Sequence, residues 1–99
     1  MNTLEKLELL SETCSDNTEL ERIIGQLLNV ILIRHRQKLA IYNSDLEQFE
    51  IKYQLTSEQF VEKFNSGSLG DEMDYFEWFG LCELRQDILQ KIHKLEQAL

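Results

Sequence analysis

LNVILIRHRQKLAIYNSDLEQFEIKY, residues 28–53, repeats with a period of seven. One seam position is filled by Leu28, His35, Tyr42 and Phe49, the other by Leu32, Leu39, Leu46 and Tyr53. A heptad of this kind winds two helices against each other in the manner of a coiled coil. Upstream, Leu20, Ile23, Ile24, Leu27, Leu28 and Ile31 mark an apolar stripe at i, i+3, i+4 spacing. The two patterns together predict one helix over residues 19–53, roughly 50 Å long at 1.5 Å per residue. Ser44-Asp45-Leu46-Glu47 has the composition to cap a new helix after Asn43. The heptad runs through that point without a change of phase, which favours a continuous helix.

A second heptad lies near the C-terminus. Trp78, Leu81, Arg85, Ile88, Ile92, Leu95 and Leu99 share one seam, with Cys82 and Leu89 beside it, on a helix expected over residues 72–97. Gly80 lies inside it and is expected to mark close approach by a neighbouring helix. Two such helices pair antiparallel if the segment between them doubles back. Leu55-Thr56-Ser57-Glu58-Gln59-Phe60 opens that segment with a capping box (Thr56 and Gln59) and a hydrophobic staple (Leu55 and Phe60). A short helix is expected over residues 57–65, ended by Ser66-Gly67-Ser68. Gly67 suits the left-handed position just past a helix, since it has no Cβ to clash.

The corner that follows, Leu69-Gly70-Asp71-Glu72-Met73-Asp74-Tyr75-Phe76-Glu77-Trp78, concentrates aromatics and carboxylates. Asp71 is expected to cap the last helix, with Glu72 and Asp74 in the first turn, where the helix dipole favours negative charge. Trp78 is expected to be buried near Phe60 or Phe64. At the other end, Asn2 and Glu5 have capping-box spacing, and Leu4, Leu7 and Leu10 recur at the helical period. That predicts a helix over residues 3–14, followed by a break at Ser15-Asp16-Asn17-Thr18 and a second cap at Thr18.

The expected fold is all-α: a single domain over residues 1–99, built as a long helical hairpin with a short connecting helix. Leu27 to Ile33 is apolar on nearly every side, so such a helix has to be covered all round. The first and last helices are expected to cover two sides and a second copy the third. The result is a homodimeric, coiled-coil-like four-helix bundle, with Leu28, Leu32, His35, Leu39 and Trp78 as expected interaction residues.

Charge and composition limit function more than they define it. The chain of 99 residues has a net charge of −8 and no proline. An acidic chain does not suit a nucleic-acid backbone as partner, but it does suit a small basic protein. The longest apolar run, Leu27 to Ile33, falls far short of the roughly 20 residues that span a bilayer. The first fifteen residues lack the basic start and long apolar middle of a secretory leader, so a cytoplasmic location with Cys14 and Cys82 reduced is expected.

Three chemistries compete with purely structural roles. The acidic corner Asp71, Glu72, Asp74 and Glu77 offers oxygen ligands to a divalent cation, or an acid–base pair. It lacks a calcium-loop pattern and a Glu-x-x-His pair, and capping accounts for most of it. Cys82 and His35 form no motif, and apolar neighbours do not activate a thiol. Arg34, Arg36 and Lys38 form the one basic run and could meet nucleic acid, but they spread round the helix. No enzyme and no cofactor is expected.

From Leu55 onward the sequence resembles a family of small helical proteins from bacteria and archaea. Thr56-Ser57-Glu58-Gln59-Phe60 and the run Gly70-Asp71-x-x-Asp74-Tyr75-Phe76-Glu77-Trp78 carry the resemblance, which is loose along the long helix and absent from the first fifteen residues. Some members are similar to one half of a toxin–antitoxin pair. The resemblance implies an antitoxin-like protein that binds and masks a small partner. It carries over no functional residue beyond the corner Gly67, Gly70, Asp71, Asp74, Glu77 and Trp78.

Overall fold

In the computed structural model, which describes residues 1–99, four helices follow in order: α1 (Thr3–Thr13), α2 (Asn17–Tyr53), α3 (Ser57–Asn65) and α4 (Met73–Ala98). The 37-residue α2 is unbroken through Ser44-Asp45. α4 packs along its C-terminal part, and α3 fills the bend between them. The molecule is a rod of 60 × 24 × 17 Å. No helix is long and apolar enough to cross a membrane.

Both heptads face inward. Each seam residue from Leu28 to Tyr53 is buried or half-buried, while most positions between them are exposed. Two small cores result. Leu32, Ile88 and Ile92 form one, flanked by Leu39, Tyr42 and Leu95. Leu46, Phe60 and Trp78 form the other, with a larger half-buried ring that includes Phe49, Tyr53, Phe64 and Phe79. The second core lies at the closed end of the hairpin and holds the three most deeply buried large side chains.

The bend between α2 and α3 depends on local chemistry. Gln54 caps α2 in the left-handed region (φ 56°, ψ 42°), and its side-chain amide donates to the Ile51 carbonyl. Thr56 and Gln59 form the full capping box of α3. Gly67 lies just past α3 at φ 73°, where any side chain would be strained.

Four local expectations are corrected. Asp16, not Thr18, caps α2: its carboxylate accepts from the Glu19 amide at 2.7 Å. Ser15 donates to the Glu19 carboxylate and holds its pKa below the usual value. Both Asp16/Glu19 and Thr18/Glu21 have capping spacing; the carboxylate, favoured by the helix dipole, takes the cap. Asp71 does not cap α4. The cap position is Glu72, in extended conformation and without a side-chain hydrogen bond, so the cap lies one residue later than the aspartate. Asp71→Ala is therefore expected to change stability by less than about 0.5 kcal/mol, as ordinary surface substitutions do; urea unfolding of the two proteins checks this.

Gly80 does not mark a close approach. A Cβ built there meets nothing within 4 Å. With the space open, the higher helix propensity of alanine acts alone, and Gly80→Ala is expected to raise stability by about 1 kcal/mol. A lower thermal midpoint for that variant would mean a neighbour does occupy the space.

The fourth correction concerns α1. It was expected to cover one side of Leu27 to Ile33, but it buries none of its own residues. Its leucines alternate with Glu5, Lys6 and Glu8, and Leu4, Leu7 and Leu9 stay exposed. So narrow and interrupted an apolar row gives little to bury. Leu27, Val30, Ile31 and Ile33 remain 41–53% exposed.

Candidate interaction surfaces

Two regions stand out: the closed end, rich in aromatics and carboxylates, and the apolar N-terminal half of α2. The sequence points to both, for different reasons.

At the closed end, Trp78 is fully buried. Its ring stacks on Phe60 with centroids 4.0 Å apart and planes 4° apart. Phe49 and Tyr53 stack on it at 5.7 and 5.8 Å. A buried indole N–H needs a partner, and Trp78 Nε1 donates to Ser57 Oγ at 3.1 Å. The amide of Ser57 in turn donates to the Glu50 carboxylate at 2.7 Å. No buried side-chain polar atom is left without a partner. The sequence places Trp78 near Phe60 or Phe64, and Ser57 is not among the expected site residues. The signal was available: a buried tryptophan facing a short helix whose first residue is a serine.

Asp74 does more than occupy the first turn of α4. Asp74 Oδ2 accepts from Lys52 Nζ at 2.7 Å and from Tyr53 Oη at 2.6 Å, fastening the start of α4 to the end of α2. These bonds, first to Lys52 and then to Tyr53, hold the Asp74 carboxyl below its ordinary value. The same contact raises Lys52 and Tyr53 above theirs. Glu77 borders a shallow hollow beside Lys52 and Asp74.

The signs of these shifts define a pH window. A depressed carboxyl stabilises the fold above its unfolded value, near 3.8, and that contribution disappears as pH falls through the folded value. The raised Lys52 and Tyr53 act in the opposite sense. Their contribution is complete below about 10 and lost as pH rises beyond the folded values. Asp74→Asn is therefore expected to flatten the acid limb of a stability-versus-pH curve below about pH 4. An acid limb identical to that of the parent would rule out Asp74 as its source.

The chemical alternatives find no assembled site. Asp71 and Glu72 are exposed, and nowhere do three His, Cys, Asp or Glu side chains converge as metal ligands. Burial pushes the Cys82 thiol up, the reverse of what a nucleophile requires. Arg34, Arg36 and Lys38 are exposed, and Arg36 pairs with Glu96 of α4 at 3.6 Å.

Of the expected interaction residues, Leu32 and Trp78 are buried within the chain itself. Leu28, His35 and Leu39 are half-buried. The exposed apolar row is a neighbouring one: Ile24, Leu27, Val30, Ile31 and Ile33. The heptad seam is a packing face, and α4 of the same chain occupies it.

Charge divides the rod unevenly. Residues 44–86, which form the closed end, hold ten carboxylate side chains against three cations. The other 56 residues hold eight against seven. Almost all of the net charge of −8 therefore lies at the end away from the exposed apolar row. No family model, curated protein or solved structure matches this chain.

Proposed function

We propose that this chain is a non-enzymatic helical interaction module that docks another polypeptide on the N-terminal half of α2. The observation that carries this reading is the exposed row Ile24, Leu27, Val30, Ile31 and Ile33 on a rod with surplus surface. Its accessible area is 7465 Å². A compact monomer of 11.7 kDa has about 5,900 Å². The radius of gyration is 19.6 Å, against about 13 Å for a compact domain of this length. Contiguous exposed apolar patches are uncommon on monomers and mark interaction sites.

An antitoxin-like role, masking a small basic protein, would use the same apolar contact on α2, with the net charge of −8 favouring approach of a cationic partner. The test is site-specific. A photoreactive residue in place of Leu27, introduced in the host cell, is expected to form a covalent product with another polypeptide. The same residue in place of Gln59, on the closed end, is the comparison. Products from position 59 and none from position 27 would overturn the docking face.

A further inference from the structure

We infer that the occupant of this face is a second copy of the chain, joined through the N-terminal halves of α2 around a two-fold axis. The inference rests on the docking reading above and names its partner.

Area is the first support. The surplus over a compact monomer is about 1,600 Å² per chain, or about 3,000 Å² for a pair, within the range of obligate homodimers.

Charge is the second. Two chains of net charge −8 repel if their acidic ends meet. The region around Leu27 to Ile33 belongs to the part of the chain that is nearly neutral, with eight side-chain carboxylates against seven cations. It is the place where two copies can touch with little repulsion. Antiparallel contact there holds the two acidic ends at opposite extremities of the pair.

Continuity is the third. Ile31 and Ile33 flank Leu32 along α2, and Leu32 belongs to the core with Ile88 and Ile92, which holds only three buried residues. A two-fold contact alongside it extends that core across the axis, with each copy supplying the same residues to the other, as closed symmetry requires.

Sedimentation equilibrium of the full chain over a wide concentration range tests the inference. Twice the chain mass is expected, falling to one chain mass in the Val30→Glu/Ile31→Glu double variant with helix content retained on circular dichroism. A double variant that remains dimeric would overturn the inference, since association would then use another surface. If the double variant unfolds, Ile33→Gln replaces it, with a dimer Kd expected at least tenfold higher; an unchanged Kd overturns the inference.

A parent protein that is monomeric at every concentration also overturns it, and an apolar-surface dye then separates the two levels of the reading. Dye binding that falls in the Leu27→Gln variant leaves the docking face standing without a second copy. No dye binding removes the docking face as well.

Discussion

Trp78→Ala is expected to be the most damaging single substitution in the chain, at about 3–5 kcal/mol. The residue is fully buried and stacks on Phe60, Phe49 and Tyr53 at once. Only seven side chains of the chain are buried, so no second core of comparable depth can hold the hairpin closed. The loss approaches the whole stability of a marginal domain. It corresponds to a drop in thermal midpoint of at least about 12 °C at this size. Circular dichroism melts at fixed protein concentration give the measurement. Trp78→Phe separates the two contributions of the side chain, since it keeps an aromatic in the stack and leaves Ser57 Oγ without its donor. A midpoint for Trp78→Ala within about 2 °C of the parent would mean that the closed end is not what stabilises the protein.

Leu46→Ala is expected to follow, at about 2–5 kcal/mol. Leu46 is 1% exposed and closes the same cluster from the long helix. Its loss opens a cavity between rigid rings that have little freedom to collapse into it. Five residues earlier, Ile41 is 60% exposed on the same helix. Ile41→Ala shortens a side chain of the same size and is expected to cost under about 0.5 kcal/mol. Urea midpoints at unchanged slope compare the two. Equal effects would show that Ile41 is covered in solution.

What the sequence reveals follows from which interactions are periodic and which are not. The heptads from Leu28 to Tyr53 and from Trp78 to Leu95 identify the helices and their inward faces, because burial on a helix repeats with the turn. The capping box at Thr56 and Gln59 is legible for a related reason: all its partners lie within four residues. Asp74 shows the limit. Its partners Lys52 and Tyr53 are more than twenty positions away, so nothing local signals the tether. The cap of α4 fails differently: Asp71 has the side chain of a cap, but the helix starts one residue later, with Glu72 at the cap position and no side-chain hydrogen bond there. Heptads also do not say whether the partner helix belongs to the same molecule. That is why Leu32 looks like an interaction residue and is in fact enclosed by Ile88 and Ile92.

The uneven distribution of core along the hairpin has a kinetic consequence. The side chains around Trp78 come from residues 46–82, so they assemble by closing short loops, which is entropically the least costly route. The outer core joins Leu32 to Ile88 and Ile92 across a separation of more than fifty residues. Formed first, that contact would be slow; formed after the closed end, it needs only the alignment of two helices already held together. Folding is thus expected to begin at the bend and zip outward. Substitutions at Leu46, Phe60 or Trp78 are expected to act chiefly on the folding rate, and those at Leu32 or Ile92 chiefly on the unfolding rate, as stopped-flow chevrons of the variants would show.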